Sequence, residues 1–208
     1  IAISHSATSP TTTGDANCDG NTIDNNTITG GYYGMTMVAN SGSAFNSWNK
    51  ITRNKIRDYY IYGLYVNGAF DVLIDSNLFE RPARAGVSTH YGIYLTGISA
   101  SAKIYRNTIR NPFGAAPPST SVFYGIYFTS VDALAGSENV VANNLIHNLT
   151  GNGSVYGIYN AGSDLALYYH NTVHLDGASS GASDVIRGFY QTTAAADLQL
   201  RNNMFTIS

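Results

Sequence analysis

The sequence predicts an all-β chain wound as a single-stranded parallel β-helix, a β-solenoid of about seven coils of ~30 residues with three sheets. Three observations predict it. Two short motifs recur at a nearly constant period, they alternate strictly along the chain, and each has the residue pattern of short strands.

The first motif is Gly-apolar-Tyr, usually with a second tyrosine in front. It stands at Tyr62-Gly63-Leu64-Tyr65, Tyr91-Gly92-Ile93-Tyr94, Tyr124-Gly125-Ile126-Tyr127 and Tyr156-Gly157-Ile158-Tyr159. Degenerate copies are Tyr33-Gly34-Met35-Thr36 and Arg187-Gly188-Phe189-Tyr190, and Ile1-Ala2-Ile3 reads as a seventh. Counted from the apolar residue, successive spacings are 34, 29, 29, 33, 32 and 31. Period-two alternation through 91–96 predicts Tyr91, Ile93 and Leu95 facing inward, with Gly92, Tyr94 and Thr96 facing outward.

The second motif is apolar-x-x-Asn-x-apolar. Its asparagines are Asn26, Asn54, Asn77, Asn107, Asn144, Asn171 and Asn203. Two short strands meet at this corner, and asparagine suits it through its tolerance of the left-handed region and its capacity to bond its neighbours. Such strands cannot bury an apolar face alone. Coiled so that each pairs with its counterpart one repeat on, they enclose a continuous core. Coils about 4.8 Å apart then set the seven asparagines in a ladder.

Antiparallel sandwiches and barrels would show hairpin signals between neighbouring strands, and here the same strand type returns only each repeat. Glycine, asparagine and β-branched residues argue against an α-solenoid. A right-handed coil is expected from crossover chirality.

Asn107-Thr108-Ile109-Arg110-Asn111, the Tyr-Gly-Ile-Tyr strands and Asn143-Asn144-Leu145-Ile146 resemble the parallel β-helix repeats of the pectate-lyase-like superfamily over essentially the whole chain. That resemblance implies the right hand and a first sheet made of the Tyr-Gly-Ile-Tyr strands. It leaves activity open, because lyases, hydrolases, adhesins and scaffolds share the fold. The Tyr-Gly-Ile-Tyr style also resembles long repetitive surface proteins exported by the type IX route. Long turns are expected after the third sheet at 113–120 and 176–184, and after the first at 131–137. The chain has no polar cap at either end, so 1–208 reads as one segment internal to a longer chain, or one that stacks end to end.

Composition narrows the partners. Charged residues are 12 % and the net charge is −2, which gives no basic stripe for nucleic acid. No apolar run is long enough to span a bilayer. Low charge with abundant Gly, Tyr, Asn and Thr fits a secreted or cell-surface protein. The single Cys18 has no partner for a disulfide or a structural zinc site.

The resemblance places any polysaccharide along the first sheet. The outward column there reads Ala2, Thr36, Tyr65, Tyr94, Tyr127, Tyr159 and Tyr190, five stacked tyrosines in succession. They read either as a platform for sugar rings or as a stack that stabilises the coils, and rings 4.8 Å apart would shield each other's faces. Catalytic candidates are sparse. Asp71, Glu138 and Asp197 share a column on alternate coils and read as solvated turn residues without cationic partners. Arg57, Glu80 and Arg110 read as a surface salt-bridge stripe. His147 and His174 lie one coil apart without a carboxylate to complete a metal site. Arg81-Pro82-Ala83-Arg84 is only superficially similar to the Arg/Pro motif of pectate lyases. Asn148-Leu149-Thr150 and Asn152-Gly153-Ser154 match glycosylation sequons, as an Asn-rich chain does by chance.

No catalytic residue, metal or cofactor is therefore assigned. The sequence favours a non-catalytic structural or adhesive segment that meets polysaccharide, other surface proteins or neighbouring repeats. A polysaccharide lyase or hydrolase with its active site outside the segment or in its loops, and a carbohydrate-binding surface on the tyrosines, stay open.

Overall fold

The computed structural model describes residues 1–4, 6, 8–14, 18–39, 45–97, 100–116, 119–175 and 184–207. Among them run three parallel sheets of seven strands each, every strand pairing with its counterpart one coil away. One coil is Tyr62–Asn67 in the first sheet, Leu73–Asp75 in the second and Leu78–Glu80 in the third. Strict parallel register stacks like on like: Met35, Leu64, Ile93, Ile126, Ile158 and Phe189 form one apolar column inside the first sheet. Ile51, Ile74, Ile104, Val141 and Tyr168 form another in the second, and Ile56, Phe79, Ile109, Ile146 and Val173 a third. These columns meet in one core running the length of the solenoid.

The asparagine corner is built differently from the sequence expectation. The left-handed residue is the one before each ladder asparagine: Asn25, Arg53, Ser76, Arg106, Asn143, His170 and Asn202, with φ of 53–58°. All seven are exposed. One left-handed residue turns the chain through the corner and throws its side chain outward, so the next residue points in. The inward asparagine is thereby free to bond along the stack. The Oδ1 of Asn107 accepts the backbone N–H of Asn77 at 3.0 Å and its Nδ2 at 3.0 Å, while Nδ2 of Asn107 donates to Asn144 Oδ1 at 3.0 Å and to the Ile74 carbonyl at 2.9 Å. The same pattern links all seven from Asn26 to Asn203. A shorter ladder, Asn21 to Asn49, stands where the second sheet begins.

The first sheet also departs from simple alternation. Tyr91 pairs with Tyr124 and Ile93 with Ile126, and the intervening glycine has no ladder partner. A Cβ on Gly92 would lie 2.6 Å from the Gly125 carbonyl oxygen and 3.0 Å from Ile109 Cγ2, so this position faces the packed interior. Only glycine leaves room for the chain to bend there. Tyr91, expected inside, therefore faces outward together with Tyr94, and buried His90 takes the inward place.

The expected turn at 113–120 is described except for 117 and 118, and the turn at 131–137 is described throughout. The turn at 176–184 lies outside the described residues apart from Asp184. No helix among the described residues is long and apolar enough to cross a membrane.

Candidate functional site

The bend at each glycine converts one tyrosine column into two. Tyr65, Tyr94, Tyr127, Tyr159 and Tyr190 stand in register, as the repeat implied. Beside them stands a column that alternation had turned inward: Tyr33, Tyr62, Tyr91, Tyr124 and Tyr156. The recurring Tyr-Gly-x-Tyr spacing was the available signal, since two tyrosines share a face only if the glycine breaks the alternation.

The two columns pack by different geometries. In the second, neighbouring rings lie nearly parallel: 4.9 Å and 9° for Tyr91–Tyr124, 5.0 Å and 9° for Tyr124–Tyr156. In the first the rings are tilted, from 4.7 Å and 41° for Tyr127–Tyr159 to 5.2 Å and 69° for Tyr159–Tyr190. Contacts between columns, such as Tyr91–Tyr94 at 5.0 Å, join them into one wall. The near-parallel rings of the second column cover one another's faces, and the tyrosines of both columns are partly exposed. Burial raises the phenol pKa of Tyr62, Tyr65, Tyr91, Tyr94 and Tyr127, and pushes Tyr124 up to about 12. At one end Arg187 covers the Tyr190 ring, its guanidinium carbon 3.6 Å from the centroid.

Four of the charged candidates, Asp71, Arg57, Glu80 and Arg110, are tied into ion pairs between coils. Asp71 is ion-paired with Lys103, which corrects the expectation of a partnerless turn residue; parallel register sets the lysine within its reach. Glu138 accepts from the Gly136 backbone N–H at 2.8 Å, and backbone bonds hold its carboxyl below the usual range. Arg57 and Arg110 approach the two oxygens of Glu80 at 2.8 and 2.9 Å. That carboxylate is only 5 % exposed, so it is sandwiched between coils rather than displayed in a surface stripe. Arg106 pairs with Asp75, and Arg53 with Asp24. His147 and His174 follow the Arg57–Glu80–Arg110 row, and no group of three potential metal ligands exists among the described residues.

Arg81 and His90 have structural surroundings that the sequence did not signal. Arg81 is fully buried, its guanidinium donating to the carbonyls of Tyr59 (2.8 Å), Pro112 (2.8 Å) and Gly86 (3.0 Å). It thus fastens the 81–90 loop to the coils on either side. His90 lies between Phe113 and Phe123 with Nδ1 2.7 Å from the Ser88 carbonyl. Burial, reinforced by the Arg81 charge, pushes its pKa down to about 3, so it is neutral.

Two open clefts flank these features. One, of about 320 Å³, is lined by Pro82, Asn111, Gly114, Asn148 and Thr150. The other, of about 340 Å³, is lined by Trp48, Lys50, Asp71, Leu73 and Lys103.

No curated protein and no solved structure matches the chain. The family model for a right-handed β-helix region matches residues 16–205, which spans all but the extreme ends of the three sheets. Stacked parallel coils, apolar columns and the asparagine corner agree with that match, and the chain belongs to the right-handed β-helix family.

Proposed function

We propose that this β-helix is a non-catalytic structural or adhesive segment of a secreted or cell-surface repeat protein. The tyrosine wall carries the reading. From Tyr62 to Tyr159, each coil puts two phenols on the outer face of the first sheet, where the resemblance to polysaccharide-cleaving β-helices would locate a substrate. Those phenols whose pKa burial has raised stay protonated at neutral pH and make poor general bases. Tyrosine edges and hydroxyls do suit adhesion, because a rigid amphipathic ring makes contacts at small entropic cost. The carboxylates Asp24, Asp71, Asp75 and Glu80 act as rungs between coils and stiffen the rod.

A carbohydrate-binding wall is the second reading, and a polar group beside the rings favours it: the Thr192 hydroxyl donates to the Tyr159 hydroxyl at 3.2 Å. The test joins a glycan array to a turnover assay on neutral and acidic polysaccharides. The structural reading expects no turnover and no glycan retention that depends on the tyrosines. Retention abolished by Tyr94→Ala with Tyr127→Ala establishes the second reading, and turnover of any polysaccharide overturns both.

A further inference from the structure

Trp48 is the chain's one tryptophan, and it stands where the backbone suits it poorly. The corner that opens the second sheet carries a left-handed residue on six of the seven coils: Gly20, Trp48, Asp71, Ser101, Leu165 and Asp197, with φ of 51–65°. Glycine takes this conformation freely and short polar residues tolerate it, whereas a large aromatic gains nothing from it locally. Burial does not compensate, since Trp48 is 58 % exposed while Leu165 is partly covered. On the neighbouring coil Gly20 presents no side chain, and the space where its Cβ would project is open. A costly exposed indole points to a contact outside the chain.

Its surroundings define the contact. Leu73 sits in register with Lys50 on one coil and Lys103 on the next, so the three line up along the axis beside Trp48 and Asp71. Lys103 holds the Asp71 carboxylate, which also receives the Ser101 hydroxyl at 3.4 Å. Lys50 is exposed and makes no ion pair among the described residues. Two ammonium groups against one carboxylate leave the cleft with a net positive charge. Its volume of about 340 Å³ is at the small end for ligand sites.

We propose that this cleft binds an anionic sugar residue, a pyranose whose apolar face stacks on the Trp48 indole and whose carboxylate pairs with Lys50. Asp71, fixed by Lys103, accepts a ring hydroxyl, and Leu73 forms the apolar floor. The site lies on the second sheet and does not rest on any role of the tyrosine wall. An exposed ion pair and a single stacked ring give binding in the millimolar range.

With one tryptophan, intrinsic fluorescence reports this site alone. Titration of the whole chain with glucuronate should give a saturable change. Binding should weaken about fivefold in Lys50→Gln, the worth of one exposed ion pair. It should also weaken as salt screens the charges. Glucose should bind about as weakly to the native chain as glucuronate does to Lys50→Gln, and acetate should give no saturable change. Trp48→Ala, followed by saturation-transfer NMR on the sugar, should lose the contact, with circular dichroism confirming that each variant folds. Equal affinity for glucose and glucuronate, indifference to Lys50→Gln, saturation by acetate, or no saturation at all each overturns the proposal.

Discussion

The asparagine ladder and the tyrosine wall both repeat once per coil and both stack at the coil spacing, but they hold the solenoid by different physics. A middle rung such as Asn107 is fully buried, and its side-chain amide makes four bonds to three neighbours, each directional. A wall ring such as Tyr91 is half-buried and meets its neighbours at angles from 9° to 59°. The amide is satisfied in one register only, because a slip of one residue would leave buried donors and acceptors unpaired. Ring contacts tolerate a wide range of angles and contribute area more than alignment. The ladder specifies register; the wall adds stability to a register already chosen.

The largest effect should come from breaking the ladder in its middle. Asn107→Ala leaves the Asn77 backbone N–H, one Asn77 Nδ2 proton and the Ile74 carbonyl without their partner. At roughly 1–3 kcal/mol for each buried unsatisfied group, less than additively, the loss should be about 3–5 kcal/mol in urea unfolding. The same change at Asn26, an exposed end rung, should cost about 1 kcal/mol, the net worth of an ordinary hydrogen bond. Equal costs at the two positions would remove the ladder's claim to set register.

His90 sharpens the contrast between a buried group that cannot titrate, as in the ladder, and one that can. Its folded pKa is depressed to about 3, below the ordinary histidine value, so the unfolded chain binds more protons between the two. Its contribution is fully present above about pH 6.5 and is lost as pH falls toward 3, on the order of a few kcal/mol. Urea midpoints at pH 7 and pH 4 should differ accordingly. His90→Phe, matching Phe123 at the same position of the next coil, should flatten that dependence.

The period, the three-sheet solenoid, the seven rungs and the outward Tyr65–Tyr190 column were legible because strict repetition exposes register directly. The second tyrosine column was not, since period-two alternation assumes an unbroken strand and the bend at Gly92 breaks it. The left-handed corner residue escaped for a related reason: its identity varies from Asn to Arg to Ser to His, because only its backbone matters. The Asp71–Lys103 pair requires knowing which coil lies beside which, together with the reach of a lysine. Arg81 and His90 owe their burial to the 81–90 loop and to Phe113, and no periodic pattern encodes such irregular cover.

The wall should respond to ring removal and hardly at all to loss of a hydroxyl. Tyr91→Ala exposes the faces of Tyr62 and Tyr124 and should cost about 2 kcal/mol, whereas Tyr91→Phe keeps the stack and should stay within about 0.5 kcal/mol. Because burial raises these phenol pKa values, the unfolded chain ionises first. The wall's contribution is therefore present below pH 10 and is lost as pH rises through 10 toward the folded values, about 12 for Tyr124. Phenolate absorbance and circular dichroism followed together should place unfolding and ionisation in one transition.

The smallest effect belongs to a rung on the exposed corner, Arg53 with Asp24. Asp24 accepts from the Thr52 hydroxyl at 2.6 Å and from Arg53 at 2.5 Å, and these bonds, Thr52 first, hold its carboxyl below the usual range. Its contribution is present above that range and is lost as pH falls through it. Arg53→Ala should leave the urea midpoint unchanged at physiological salt, since the exposed pair is screened and alanine brings the same Cβ to the left-handed corner as arginine does. An NMR titration should show the Asp24 carboxyl rising only part of the way to its ordinary value, because Thr52 still donates. A midpoint shift as large as that of Asn107→Ala would mean that the outward side chains of the corner, and not the inward amides, hold the coils in register.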